Sequence, residues 1–228
     1  MKILGIDTST DVCAVALTED QQLIAEYRTS NRRAHAEKIF PAIDWILRDA
    51  KLTVHDLHGI AISIGPGSFT GLRIGLAAVK GLALATNLPV VAVPSLDAIA
   101  SLAYGWEGQI CPLVKCQSNE AYAALYHFDH DILLRDTDYQ LVNLSSLGHL
   151  INQRTLVITI GIHNLSEFLH ESWTNLITIA PEHCCLASGF AVARLGFERF
   201  RDQRFEDIEN LEPFYLKDFK AKKSKGVS

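Results

Sequence analysis

The sequence predicts an α/β fold of two similar lobes, built from two successive βββαβα units. Three observations carry this. Short apolar runs separated by polar turns mark strands that pair in succession near the N-terminus. A glycine-rich turn, Gly65-Pro66-Gly67-Ser68-Phe69-Thr70-Gly71, joins an apolar run to a long small-residue helix. After Gly105-Trp106-Glu107-Gly108, which reads as an inter-lobe linker, a similar order of elements begins again. The repeat lies in element order, not in residue identity. The division predicted is 1–104 for the first lobe and 105–228 for the second, the latter ending in a basic tail, 217–228.

The elements follow in order. Lys2–Asp7 is an apolar strand that ends on a carboxylate. Thr8-Ser9-Thr10-Asp11 turns, and Val12–Leu17 returns. Glu19-Asp20-Gln21 turns again into Leu23–Arg28, which completes an antiparallel meander. From His35 to Ala50, Ile39, Ile43, Ile46 and Leu47 recur at helical spacing, so this is an amphipathic helix. Ile60–Ile64 is a short buried strand. The glycine-rich turn follows, with a helix from near Leu72 to about Thr86. Pro89–Val93 is another strand, and Ser95 is placed to cap a helix to about Tyr104.

In the second lobe Ile110–Cys116, Ala121–Phe128 and Leu133–Leu141 read as strands. Leu144–Asn152 reads as a helix capped near Ser145. Thr155–Ile160 is a β-branched strand, Leu165–Glu171 a short helix and Leu176–Ile179 a strand. Cys184–Phe200 is a closing helix with Leu186, Phe190, Val192, Ala193, Leu195 and Phe197 on or near its buried side.

Composition bounds the function classes. The 228 residues, 48% of them hydrophobic, suffice for one large domain or two lobes. A net charge of −5 excludes a global basic field for nucleic acid. The N-terminus lacks the apolar core of a signal peptide, and no apolar run is read as approaching the roughly 20 residues of a membrane span. Five cysteines, odd in number and without a C-x-x-C pair, suit a reducing compartment. The expectation is a soluble cytoplasmic protein. The tail carries five lysines, Lys217, Lys220, Lys222, Lys223 and Lys225, and reads either as a solvated end or as an RNA-contacting arm.

Strand, glycine-rich turn and helix together aim backbone N–H groups and a helix N-terminus at one point, which is a natural anion site. Neither common phosphate motif fits. The dinucleotide fingerprint needs glycine where Thr70 stands, and the P-loop needs Lys then Ser or Thr where Leu72-Arg73 stand. The helix beyond is rich in Gly75, Ala77, Ala78, Gly81, Ala83 and Ala85, and each helical glycine costs about 1 kcal/mol relative to Ala. Close packing must offset that cost. Either the helix lies flat on its own sheet, or its outer side is also covered by a second chain.

GPGSFTGLRIG, preceded by ILGIDTS from Ile3 to Ser9, resembles the TsaB (YeaZ) family of tRNA threonylcarbamoyladenosine biosynthesis proteins, paralogues of the TsaD/Kae1 proteins once called glycoproteases. The resemblance continues through His35-Ala36-Glu37 and Pro89–Ser95, and returns in Glu212-Pro213-Phe214-Tyr215-Leu216-Lys217. It implies the actin/Hsp70/sugar-kinase (ASKHA, ribonuclease-H-like) architecture, and it implies a non-catalytic partner of a TsaD-type threonylcarbamoyltransferase, working with a TsaE-type ATPase on ANN-decoding tRNAs. The pairing surface it implies lies on the first two helices, here with His35, Ile39, Gly71, Arg73, Gly75, Leu76 and Val79. The same helices would pair two copies of the chain. A bulky residue at Gly75 is expected to block pairing and leave the chain folded.

The enzyme alternative is a weak ATPase or a metallopeptidase-like relative of the same fold. In that architecture Asp7, with Ser9, Gly65 and Gly67, would line a nucleotide or phosphate turn; otherwise Asp7 caps its own turn. The second-lobe motif of the family type Asp-Ala-Arg then Glu-Val-Tyr reads here Lys115-Cys116-Gln117-Ser118-Asn119-Glu120-Ala121-Tyr122. Glu120 and Tyr122 remain, but Lys115 replaces the carboxylate and Gln117 the arginine. The paralogue's His-x-x-x-His becomes His35 and Ile39, and none of the nine histidines has another at i+4. Ser68 has no G-x-S-x-G frame, and the cysteines lack activating partners. No metal, cofactor or catalytic residue is assigned, and tRNA is reached only indirectly.

Overall fold

The computed structural model of the chain describes residues 1–30 and 35–216. The lysine-rich tail, with its two readings, lies outside the described residues. Five strands form the first sheet: β1 (Lys2–Asp7), β2 (Cys13–Glu19), β3 (Gln22–Thr29), β4 (Gly59–Gly65) and β5 (Val90–Pro94), in the order β3-β2-β1-β4-β5. β1 to β3 are antiparallel, while β4 and β5 run parallel to β1. β1 and β4 are apolar on both faces because both faces are covered.

Helices α1 (His35–Asp49) and α2 (Phe69–Thr86) lie on one face, over Leu4, Ile6, Val15, Leu17 and Ile62. On the other face Ile3, Ala61 and Val91 pack against Ala98 of α3 (Ser95–Ser101) and Val192, Ala193 and Phe200 of α4 (Gly189–Arg201). Gly5 is needed here, since a Cβ on it would lie 2.0 Å from the Gly189 carbonyl oxygen of α4. After α4 the chain returns as a strap. Glu206 N donates to Val90 O and Phe214 N to Ile64 O, both at 2.8 Å. Leu211 closes the first core, and Leu216 packs on the second.

The second sheet takes β6 (Gln109–Gln117), β7 (Glu120–Ala123), β8 (Tyr126–Asp129), β9 (Ile132–Arg135), β10 (Gln140–Asn143), β11 (Thr155–Ile160) and β12 (Ile177–Ile179). Its main path is β10-β7-β6-β11-β12, with the β8–β9 hairpin attached to β6. When β6, β7, β10, β11 and β12 are read as the first to fifth strands, the order and strand directions repeat those of the first sheet. The duplication therefore extends to pairing. α3 lies between the sheets, with Leu96, Ile99 and Ala100 in the core formed by Ile110, Tyr126 and Ile158.

Several sequence expectations need correction. α2 starts at Phe69, not near Leu72, because Ser68 caps it by accepting the Gly71 N–H. Ser95 is the first residue of α3 and not its cap; its hydroxyl meets that of Ser63 at 2.8 Å. The expected strand Ala121–Phe128 is broken at Ala124 and Leu125, where the Leu125 N–H is taken by the Thr137 hydroxyl. Leu133–Leu141 likewise divides into β9 and β10. In place of a helix at Leu144–Asn152 there is a 3₁₀ turn, Leu144–His149, capped by Asn143 and not Ser145. Leu165–Phe168 and Glu171–Trp173 are 3₁₀ turns too. The closing helix begins at Gly189 and covers the first sheet. So the second lobe keeps the strands of the βββαβα plan, while 3₁₀ turns take the helix positions.

α2 also revises the reading of apolar runs. Its 18 residues, at a mean hydropathy of 1.3, are long and apolar enough to cross a bilayer by composition, and a third of them are buried within the fold.

Candidate functional site: a closed turn and the outer faces of two helices

Asp7 ends β1, where strand direction delivers its side chain to the β1–β2 turn. Its Oδ1 accepts from the Ser9 N–H at 2.8 Å and the Ser9 hydroxyl at 2.7 Å, so it is the turn-capping carboxylate. The turn is also roofed. Ser68 N donates to Ser9 O at 2.7 Å. A Cβ on Gly67 would lie 2.2 Å from Ser9 O, one on Gly71 2.1 Å from Thr8 O, and one on Gly75 2.1 Å from the Thr8 hydroxyl. The glycines therefore let the glycine-rich turn and α2 lie directly on the β1–β2 turn. His35 closes the side, with Nε2 3.0 Å from Thr10 O.

Asp7, Thr8 and Ser9 are wholly buried as a result. Among the described residues, Asp7 Oδ2 and the Thr8 hydroxyl have no hydrogen-bond partner. Burial holds the Asp7 carboxyl above the usual carboxylate range, against the opposing hydrogen bonds from Ser9 and Ser63 and the His35 charge. Burial and the nearby Asp7 also push the Cys13 thiol up to about 11. This is a carboxyl held toward its neutral form, a poor group for gripping a metal–nucleotide. Of the proposed phosphate-turn residues, Asp7, Ser9 and Gly67 come together. Gly65, at φ +112°, instead meets Phe214 O of the strap. A phosphate would have to displace the Gly67–Ser68 roof.

The matching turn of the second lobe, between β6 and β7, is open. Lys115, Gln117 and Ser118 are exposed, while Tyr122 is buried beside Cys116. The two turns occupy equivalent places in the duplicated sheet, one closed over an acid and one presenting a cation. Among the described residues, no group of three or more His, Cys, Asp or Glu side chains could hold a metal.

The residues expected on the pairing surface divide sharply. His35, Ile39, Gly71, Gly75, Leu76 and Val79 are buried, and they hold α1 and α2 on their own sheet. Only Arg73 is exposed; its guanidinium covers the Phe69 ring at 3.8 Å, and its Nε donates to the Tyr215 hydroxyl at 3.1 Å. Gly75→Leu would drive a side chain into Thr8, which corrects the expectation that it spares the fold. The outward stripe of α2 is Arg73, Ala77, Gly81, Leu84 and Ala85, with Leu84 65% exposed and open space beside Gly81. α1 adds Phe40, 50% exposed, and Trp45. The i, i+4, i+8 spacing of Arg73, Ala77 and Gly81 marks this stripe in sequence. It was masked because the inward stripe carries glycines too.

A family model described as TsaD, tRNA N6-adenosine threonylcarbamoyltransferase, matches residues 22–224. The chain is 30% identical over 224 residues to the "tRNA threonylcarbamoyladenosine biosynthesis protein TsaB" of Bacillus subtilis, covering 95% of this chain and 94% of that protein. To the Escherichia coli protein of the same name it is 27% identical, covering 95% of each. Among solved structures, a Pseudomonas aeruginosa protein described as similar to peptidase YeaZ superposes with a TM-score of 0.77 at 21% identity, over 95% of this chain and 99% of that one. The activator of 2-hydroxyisocaproyl-CoA dehydratase from Clostridium difficile gives 0.52 at 8% identity, over 97% of this chain and all of that one, which supports the actin-like ATPase architecture. A family model spanning most of the sequence, and a relative matched nearly end to end, establish that the chain belongs to the TsaB (YeaZ) family, within the wider TsaD family.

Proposed function

We propose that this chain acts in tRNA N6-threonylcarbamoyladenosine biosynthesis as the non-catalytic, activating partner of a TsaD-type threonylcarbamoyltransferase. It works in the cytoplasm beside a TsaE-type ATPase and reaches tRNA only through the transferase. The observation that carries this reading is the closed β1–β2 turn. The carboxyl that would serve a nucleotide in this fold is buried, tied to Ser9 and roofed by Gly67 and Ser68. His35, the one histidine kept where the paralogue ligates metal, is directed at Thr10 O.

The outer faces of α1 and α2 support the partner role. Phe40 and Leu84 stand in solvent beside small residues that allow another helix to approach closely. A surface of this kind also pairs with itself, so two copies would meet through the same helices in the absence of the transferase.

The test is reconstitution. With the transferase, the ATPase, substrates and tRNA supplied, modified tRNA should form only when this chain is added. The chain alone, with ATP and magnesium or zinc, should turn nothing over. ATP hydrolysis by the chain alone that Asp7→Asn abolishes would overturn the non-catalytic reading.

A further inference from the structure

On the face of the first sheet opposite α1 and α2, where the β8–β9 hairpin meets α3, a half-open cleft of about 160 Å³ runs to α4. That is the room of about five waters, enough for a small organic acid. Leu133 of β9 and Leu195 of α4 form its apolar wall. Asp97 of α3, Tyr126 of β8, Arg135 of β9 and Arg199 of α4 supply its polar groups. A cleft at a lobe junction that combines an apolar wall with convergent polar groups is a common place for a small-molecule site.

The polar groups are incompletely used. Asp97 Oδ1 accepts from the Tyr126 hydroxyl at 2.8 Å and the Tyr139 hydroxyl at 2.7 Å, which fixes its orientation and leaves Oδ2 as an acceptor. Burial, together with the Asp97 charge, raises both phenols, so they remain donors. Arg199 donates Nη1 to Ala92 O at 2.9 Å and to Glu206 Oε1 at 3.1 Å. Arg135 lies over the Tyr139 ring at 3.9 Å, also acts on the Tyr139 hydroxyl, and has no ion-pair partner among the described residues. A guanidinium carries five N–H donors, so one held against a tyrosine still has donors for a carboxylate or phosphate. Asp97 would repel a bare anion, unless the ligand also brings it a donor.

We propose that this cleft binds a small amphoteric acid. Its carboxylate or phosphate would meet Arg135 and Arg199, an amine or hydroxyl would donate to Asp97, and its carbon skeleton would lie on Leu133 and Leu195. The site does not depend on the pairing reading.

The experiment is calorimetric or NMR titration of the full chain with L-serine, O-phospho-L-serine, inorganic phosphate and ethanolamine in the millimolar range. At least one of the two serine compounds should bind saturably, and about tenfold more tightly than phosphate or ethanolamine. Arg135→Gln on the exposed hairpin should weaken binding about tenfold with an unchanged melting temperature, and Leu133→Trp, which fills the cleft, should do the same while the chain keeps its far-UV circular dichroism. Comparable binding of serine and phosphoserine assigns the carboxylate as the anchoring group; phosphoserine alone assigns the phosphate. Three results would overturn the proposal: no saturable binding of either serine compound, equal binding of the single-group probes, or binding indifferent to both variants.

Discussion

Asp7 is a residue whose identity and environment disagree. An acid with a raised pKa favours folding while it is protonated. Stability should therefore fall as pH rises from the ordinary aspartate range through the raised folded value, where a buried charge must form or a proton be taken up. Asp7→Asn removes that dependence and keeps an oxygen for Ser9. The variant should gain on the parent in urea midpoint as pH rises above about 4, and a gap constant with pH would refute this origin. Glycines give the opposite contrast. Gly75→Ala places a methyl 2.1 Å from the Thr8 hydroxyl and should cost ~1–3 kcal/mol in denaturant unfolding. Gly81→Ala faces open space and should add up to ~1 kcal/mol through helix propensity. Thr8 and Ser9 offered turn-capping as one of two readings of Asp7, beside a nucleotide or phosphate turn. Its burial was not legible, because the roof is supplied by residues about sixty positions away.

At the scale of elements, α4 is held by a cap from another lobe. Glu26 Oε1 on β3 accepts from the Ser188 hydroxyl at 2.8 Å and from Phe190 N at 3.2 Å, and Ser188 Oγ accepts from Ala191 N. The carboxylate also faces the positive end of the helix dipole. Glu26→Ala should therefore cost about 1–2 kcal/mol in thermal unfolding, with Glu26→Gln recovering part of it; equal losses in both would remove the charge from the account. On the other side, Leu84→Asp with Phe40→Asp should leave the melting temperature unchanged and abolish co-elution with the transferase. Intact pairing would exclude these faces. The helical period made α1 readable, and the glycine-rich turn followed by small residues made α2 readable, though not its first turn. Which sheet α4 covers was not readable, since Val192, Ala193 and Phe200 state that a face is apolar and not what lies beneath it. The break at Leu125 was hidden for the same reason: its partner, Thr137, is a loop hydroxyl with no periodic signal.

For the whole molecule, the repeated strand order shows how far duplication reaches. Pairing is copied, while the turn chemistry and the crossovers are not. Element order in the sequence captured the first half of that statement. The second depends on whether the β1–β2 and β6–β7 turns are covered, a property of assembled layers. Because Gly189 and Ala193 of α4 fill the space over Gly5, and Leu211 of the strap completes the core under α1, the first sheet has no finished interior without residues that come last in the chain. On the ribosome, β1 to β5 would thus emerge with the face over Gly5 covered only by α3, before α4 and the strap follow. A fragment ending at residue 104 should accordingly bind a hydrophobic dye and lack a cooperative melt, and adding a separate peptide spanning 186–216 should restore one. In that order of synthesis, the first half would expose apolar surface until α4 and the strap emerge.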